Sequence, residues 1–558
     1  MATGGFVDWR GKPINRKVHG GVRAAWFLYF QVVIIFMVHV PNFLNLVTYL
    51  HGVMHMGVSS SSTTVTNFLG AMCGFALFGA FISDSYITGS KTILIFGPMI
   101  FLGYALLALQ AHLPSFLPPR CDPGSNVSSC QGEVHGWRAA VLYTALYTIA
   151  FGEGCIRSCL PSVGADQFDD DDPTEARQQS SFFNWFTVCL SIGSFAGLVL
   201  IVWLESSKGW DAGFGISALL SLLGLVLAAA GLPFYRNRVP QGSPLTRVVQ
   251  VLVVAFKNRK LQLPEKMEEA QEDSNGDVSS LAHTNSLKFL DKACINTGKD
   301  GAWSVCSTGK VEETKIVLRM LPIFVSSMVG YVSSPLLVAF TVQQGGATNT
   351  RLGGIHVSPA MLFLVPTTFQ MLMLVAYDRF AVPLLRRHTG YAAGVTHLQR
   401  VGVGFAAMVV APAVAAVVER RRLDAGGRVS LFWLAPQFFL LGVADTTSFV
   451  GLLEFFNSEA PRGMKSIGVA LFWCQVGLAS WLGTLLLQLV NRATRRGGRH
   501  GWLEGAGLNS SRLDLFYWVV AVVSLLGLIN YMYWAKRYRY RRDPRSISVE
   551  PVDEVSKP

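Results

Sequence analysis

The sequence has little charge for its length. Only 15% of its 558 residues are Asp, Glu, Lys or Arg, whereas a soluble protein carries about 25%. It also lacks a phosphate-binding Gly-x-x-x-x-Gly-Lys loop, a zinc-ligand spacing and a nucleophile triad. The sequence therefore offers no basis for an enzyme, an ATP-driven pump, a metal site or a bound cofactor.

What is abundant is apolar sequence, which makes up 51% of the chain. Runs of roughly 20 apolar residues, enough to cross a bilayer, recur along the whole length. The pattern predicts an all-α polytopic membrane protein with twelve transmembrane helices. We place the spans near residues 24–50, 65–86, 91–112, 138–160, 183–204, 212–235, 315–341, 359–380, 399–419, 430–456, 466–490 and 513–534.

A long polar stretch divides these spans into two groups of six. It contains EKMEEAQEDSNGD, which cannot bury enough apolar surface to fold alone. The predicted organisation is an N-terminal arm (1–23), a six-helix half (24–235), a linker (236–313), a second six-helix half (314–535) and a basic tail (536–558).

The distribution of charge predicts the topology. The net charge of +12 comes from Lys and Arg beside apolar runs, as in cytoplasmic loops that meet anionic lipid headgroups, so nucleic acid is not an expected partner. The basic arm and the tail segment KRYRYRRDPR place both termini in the cytoplasm. The basic loops around Arg420–Arg422 and Arg495 then fall outside, against the positive-inside rule.

Two sequons support that orientation nevertheless. Asn126 and Asn509 each begin an Asn-x-Ser triplet, and both lie in loops that the topology places outside, where glycosylation occurs. Cys121 and Cys130 share the first of these loops and are predicted to form a disulfide in that oxidising setting.

Several motifs resemble one family. GAFISDSYITGSKT (79–92), GEGCIRSCLPSVGADQFDDDDP (152–173), SSFFNWFTVCLSIGS (180–194) and GLLEFFNSEAP (451–461) are similar, in order, to signatures of the plant nitrate/peptide transporters, the NPF or PTR family of the major facilitator superfamily. The resemblance implies the major facilitator fold and alternating access around a central small-molecule or ion substrate. It also implies Asp84 as a gate residue, although Thr88 and Gly89 replace the usual Gly and Arg.

The resemblance implies substrate contacts too. Arg157 matches the family's substrate-side Lys, and Glu454 matches the cavity-facing glutamate of its EFF motif. Each has a structural alternative: Glu153 could simply hold Arg157 one turn away, and Glu454 could be a solvated helix end. For Asp445, a structural role and a substrate-binding role are equally favoured. Five further residues are candidates to line the cavity, although such side chains are more often packing: Tyr49, His39, Gln343, Gln344 and Trp473.

The first span lacks the usual proton-coupling motif. Where many family members carry Glu-x-x-Glu-Arg, this chain has Val32, Ile35 and Phe36, none of which can exchange a proton. Either transport is uncoupled or another carboxylate has taken the role. We predict that Glu153, four residues before Arg157, is the carboxylate that exchanges the proton, and that helix 1 takes no part in proton coupling.

These observations predict a secondary active or facilitative transporter of a small anionic solute, in the plasma or the vacuolar membrane. Nitrate, a plant hormone, another organic anion and a short peptide stay open, and protons are an open second partner. Ser334 stands where a nitrate-binding relative has histidine, which disfavours nitrate. The alternative is a sensor that binds the solute in the same cavity and signals through the linker or through Ser546 and Ser548 in the tail. The oligomeric state is open.

Overall fold

The computed structural model describes residues 6–538 and 540 apart from short gaps. Residues 16–17, 119–133, 169–172, 240–241, 243, 262–286, 296–302, 350, 353–354, 357, 390–394, 427–428, 461–464, 496–499 and 505–507 fall outside the description. The predicted disulfide cysteines Cys121 and Cys130, the sequon residue Asn126 and the tail serines therefore lie outside the described residues.

The chain is almost entirely helical, as predicted. The helices are α1 (Gly21–Gly52), α2 (Val58–Ser85), α3 (Gly89–His112), α4 (Trp137–Ala165), α5 (Pro173–Ser207), α6 (Trp210–Gly231), α7 (Pro244–Lys257), α8 (Thr308–Gly330), α9 (Ser333–Gly346), α10 (Leu364–Ala376), α11 (Val382–Thr389), α12 (His397–Asp424), α13 (Ala435–Ala444), α14 (Val450–Glu459), α15 (Lys465–Thr494) and α16 (Leu513–Arg537). Two short antiparallel pairings join β1 (Phe6–Val7) to β2 (Asn237–Arg238) and β3 (Arg351–Leu352) to β4 (Ile355–His356).

Within the described ranges, 11 helical segments are long and apolar enough to cross a membrane. The eighth of the twelve predicted spans is instead a shorter apolar helix, Pro359–Met373, which continues into a π-helix over Tyr377–Ala381. The seventh span is broken between α8 and α9. Pro335 explains this break, because it has no N–H to donate to the carbonyl of Tyr331.

The packing pairs the helices as two bundles. In the first half α3 packs against α4 and α6, and α1 against α5; in the second half α12 packs against α13 and α16. Gly193 and Gly197 of α5 allow a close approach to α1, since a Cβ at either position would overlap the backbone of Val33 or Met37. This approach fixes the position of the first span beside the fifth.

The two halves meet at the end of the bundle opposite the N-terminal arm. There the start of α2 is linked to the second half by hydrogen bonds: Thr66 to Thr484 at 2.7 Å, Asn491 to Ser59 at 3.2 Å and Gln343 to Ser62 at 2.8 Å. We call this group the outer seal. The sequence analysis predicts cytoplasmic termini, and in that orientation the outer seal would lie on the external side.

The linker contains more structure than the sequence analysis expected. Its acidic stretch lies outside the described residues, but α7 and a 3-10 turn at Leu290–Cys294 pack on the first turns of α8. Val251, Val254 and Ala255 of α7 are three of the seven buried residues of a small apolar core. Because α8 begins at Thr308, before the predicted boundary at 314, the exact division of the chain into domains stays a prediction.

Candidate functional site

Arg157 occupies the interface between the two halves. It lies on α4, is 7% exposed, and its guanidinium is 4.8 Å from the ring centroid of Trp473 on α15 and 5.3 Å from that of Phe36 on α1. Its Nη2 is 3.4 Å from Oε2 of Glu153. The sequence analysis weighed a structural role for this pair against a substrate role; the structure shows the pair and also places the cation between aromatic walls from both halves.

Glu153 has a second basic partner, on the first span. Nδ1 of His39 lies 2.5 Å from Oε2 of Glu153, close enough for an ion pair, although the two groups are not aligned for a good hydrogen bond. Both side chains are buried. Helix 1 therefore contributes a titratable group to the Arg157 site, which the expectation of a silent helix 1 overlooked. The available signal was the spacing: His39 follows Ile35 by one helical turn and so shares its face.

A partly open cavity adjoins this pair inside the first half. It is lined mainly by apolar side chains of α1, α3, α4 and α6. Its polar lining includes Glu153, Gln31 and Ser221, and Oε1 of buried Gln31 has no protein partner. Glu153 therefore lines a second space in the first half, separate from its contact with Arg157.

Glu454 is exposed but not free. Its side chain is 44% exposed, and its Oε2 lies 3.3 Å from both Nη1 of Arg400 and Nδ1 of His397. Arg400 also donates from Nη2 to the carbonyl of Thr446 at 3.0 Å, within the π-helix Asp445–Phe449. The sequence analysis missed both basic partners because they lie on α12, more than fifty residues before Glu454 in the chain.

Tyr49 and Gln344 lie away from Arg157. Tyr49 packs between Trp210 and Phe214, each with ring centroids 5.1 Å away, and is roughly 20 Å along α1 from Phe36. Gln344 belongs to a buried polar cluster of the second half, where its Oε1 accepts a hydrogen bond from Gln437 at 3.2 Å. The structure does not bring these two candidates to the Arg157 site, and their contact with substrate stays a prediction.

Comparison with known proteins identifies the family to which this chain belongs. Residues 90–503 match the family model described as PTR2, the POT family. The chain belongs to the POT family. It is 37% identical to the Arabidopsis thaliana protein NRT1/PTR FAMILY 4.3 over 550 residues, covering 95% of this chain and 92% of that protein, and 37% identical to NRT1/PTR FAMILY 4.5 over 551 residues, covering 96% of each.

The fold agrees with solved POT-family structures. The crystal structure of the POT family transporter PepTSo superimposes with a TM-score of 0.67 at 17% identity, covering 92% of this chain and 98% of that one. The predicted family and the all-α polytopic fold are therefore confirmed. The protein is an integral multi-pass membrane transporter rather than an enzyme.

The remaining predicted site residues of this POT-family chain are Asp84, Asp445 and Asn509, which lie on separate elements. Asp84 is half-buried at the end of α2, next to the turn that leads into α3, as a gate residue would be. Asp445 starts the π-helix between α13 and α14. Asn509 is exposed, and its Oδ1 accepts a hydrogen bond from Nη1 of Arg422 at 2.6 Å. Among the described residues, no cluster of His, Cys, Asp and Glu could hold a metal ion.

Proposed function

We propose that this protein carries a small organic anion, with a carboxylate next to an apolar body, across the plasma or vacuolar membrane of a plant cell by alternating access. The observation that supports this most is the environment of Arg157. A guanidinium offers a planar, permanently charged fork to a carboxylate, and the rings of Phe36 and Trp473 on either side suit an apolar body.

The second half disfavours a peptide. A zwitterionic peptide needs an anion for its ammonium group as well as a cation for its carboxylate. The matching anion would be Glu454, but Arg400 and His397 already lie 3.3 Å from its carboxylate. An incoming ammonium group would have to displace these partners, which an organic anion need not do.

Nitrate fits the site less well than an organic anion. A nitrate ion is small and has no apolar body that could pack against the aromatic walls. Ser334, buried on α9, stands where a nitrate-binding relative carries histidine, so it adds no second cation. The Arg157 site therefore favours an anion that can bury apolar surface when it binds.

The net charge of the Arg157 site suggests how a proton takes part in transport. The empty site is neutral overall if His39 is neutral, Glu153 ionised and Arg157 charged. A bound monoanion would leave a net negative charge in the membrane interior, which is unfavourable. Uptake of one proton by the His39–Glu153 pair restores neutrality. We therefore infer that one proton accompanies each monoanion, and that the pair takes the role of the missing carboxylates on helix 1.

Few other groups can exchange that proton. Among the residues that the structure describes, Tyr104 on α3 and Cys73 on α2 also interact electrostatically with Glu153, and both are buried. Neither phenols nor thiols normally titrate as readily as imidazoles near neutral pH. The pair of His39 and Glu153 is therefore the best-placed proton acceptor at this site.

The test is binding followed by transport. Purified protein is mixed with organic monocarboxylates, nitrate and neutral dipeptides, thermal stabilisation is recorded, and uptake of the best ligand is measured in proteoliposomes. We expect stabilisation by apolar monocarboxylates that depends on Arg157. Stabilisation by dipeptides that survives replacement of Arg157 would contradict the anion proposal, and saturable binding without flux would favour the sensor.

A further inference from the structure

Helix α7 of the linker has two apolar faces. One face, with Val251, Val254 and Ala255, is buried in the small core that α7 shares with the 3-10 turn and the start of α8. The other face carries Val249, Leu252 and Phe256, which are 48%, 36% and 60% exposed. Their i, i+3, i+7 spacing places the three side chains in one stripe along the helix. We call this stripe the outer stripe.

Two attachments hold α7 near the membrane surface. At its N-terminal side, the chain leaves the sixth span at Gly231 and passes through β2, which pairs with β1 of the N-terminal arm. At the other side, Nζ of buried Lys315 on α8 binds Asp291 of the linker at 2.6 Å and Glu312 at 2.8 Å. Helix α7 therefore lies at the level where the sixth span ends and the seventh begins.

The charge around the outer stripe has one sign. Residues 244–261 include four basic side chains and no acidic one. Arg247 forms an ion pair within the protein, 3.6 Å from Glu313. In contrast, Lys257, Arg259 and Lys260 are exposed at the end of the helix. The guanidinium of Arg259 lies 4.2 Å from the ring centroid of Phe256, which brings the positive charge and the apolar stripe to the same side.

An apolar stripe bordered by cations at the membrane surface matches the chemistry of one partner. We propose that α7 is an interfacial helix: the outer stripe enters the cytoplasmic leaflet, while Lys257, Arg259 and Lys260 bind anionic phospholipid headgroups. A soluble protein or a second copy of the chain would also cover apolar surface, but neither explains why the exposed charges within residues 244–261 are all positive.

The test captures what touches position 256 in the full-length protein. Phe256→p-benzoylphenylalanine is irradiated in nanodiscs that contain phosphatidylcholine and phosphatidylserine, and the adducts are identified by mass spectrometry. Leu526 of α16, which is 61% exposed within the twelfth span, receives the same probe as the matched lipid-facing control. We expect phospholipid adducts at both positions.

The composition of the adducts decides the proposal. Phosphatidylserine should be enriched at position 256 over position 526 by about five-fold for each cation engaged, and the combined changes Lys257→Gln, Arg259→Gln and Lys260→Gln should remove the enrichment. Equal lipid composition at the two positions would overturn the proposal. So would an adduct to a protein chain at position 256, or no adduct there while Leu526 captures lipid.

Discussion

Nδ1 of His39 lies 2.5 Å from Oε2 of Glu153, so the first span and the fourth share a buried acid–base contact one turn from Arg157. In this chain the helix 1 positions usually occupied by the Glu-x-x-Glu-Arg motif hold apolar residues. The contact supplies a titratable imidazole next to those positions, and Glu153 also lines the cavity beside Gln31.

The first prediction concerns pH. Uptake in proteoliposomes should rise as the pH on the uptake side falls from about 8 to about 5, because binding of the anion requires a proton at the pair. Glu153→Gln should make uptake nearly independent of pH. Glu205→Gln is the matched control: Glu205 is also a buried carboxylate within a span, but its partner is the amide of Asn45 at 2.6 Å, and its variant should keep the dependence.

Two other results would change this account. Flat uptake by the unmodified protein would mean a facilitator that runs down the solute gradient. A pH dependence that survives Glu153→Gln would exclude Glu153 and direct attention to Asp445 or Glu454.

The second prediction concerns Arg157. Arg157→Ala should raise the dissociation constant of the anion by roughly thirty-fold or more, because loss of a buried charge contact costs at least about 2 kcal/mol. Arg157→Lys keeps the charge but loses the planar fork and should give an intermediate value. Thermal stabilisation titrations measure both. Equal affinity in all three proteins would show that the anion binds elsewhere.

The fold could be predicted from the sequence because the patterns that indicate it are local. Each apolar run identifies a span without information from the rest of the chain, and the ordered motifs identify the family. Even the break in the seventh span has a local cause in Pro335. The predicted topology had two discrepancies, the basic loops around Arg420–Arg422 and Arg495. In the structure each of these loops has carboxylate partners: Arg422 is buried against Glu419, Arg420 lies near Asp424, and Arg495 binds Glu504.

Only part of the candidate site could be predicted from the sequence. The pair of Glu153 and Arg157 was predictable because four residues separate its members on one helix. The contacts of His39 with Glu153 and of Arg400 with Glu454 join distant segments, so they depend on how helices pack. The outer stripe was also missed, because the polar composition of the linker as a whole concealed one amphipathic helix.

The third prediction concerns Glu454. Because Arg400 and His397 already neutralise its carboxylate, Glu454→Gln should change the affinity for the organic anion by less than about three-fold, within the range of non-essential contacts. Arg400→Gln removes one of the two partners and should give the site measurable affinity for a cationic or zwitterionic ligand. Competition binding with a neutral dipeptide tests this. A large loss of anion affinity in Glu454→Gln would restore Glu454 as a direct substrate contact.

The fourth prediction concerns stability on the external side. Arg422 binds both carboxylate oxygens of Glu419 at 2.8 Å, and both side chains are fully buried. Arg422→Ala should destabilise the protein by about 3–5 kcal/mol, since it leaves a buried carboxylate without its cation. The decrease is measured as a lower thermal unfolding temperature in nanodiscs.

A matched control separates burial from simple loss of an arginine. Arg495 also binds a carboxylate, and its hydrogen bonds lower the pKa of Glu504, but this pair lies in solvent. Arg495→Ala should therefore leave the unfolding temperature almost unchanged. Similar decreases in the two variants would contradict a special role for the buried pair.

The last prediction concerns the outer seal. Oγ of Ser59 on α2 lies 3.2 Å from Nδ2 of Asn491 on α15, so a short bifunctional thiol reagent should join Ser59→Cys to Asn491→Cys across the two halves. Alternating access requires these halves to separate on the external side. Cross-linking should therefore abolish uptake, and a reductant that cleaves the link should restore it.

Binding should persist when ligand is supplied from the cytoplasmic side, because Arg157 lies deeper than the link. Each single-cysteine variant, treated with the same reagent, serves as the control for modification alone. Continued uptake by the cross-linked protein would mean that the halves do not separate here, and that the substrate follows another path.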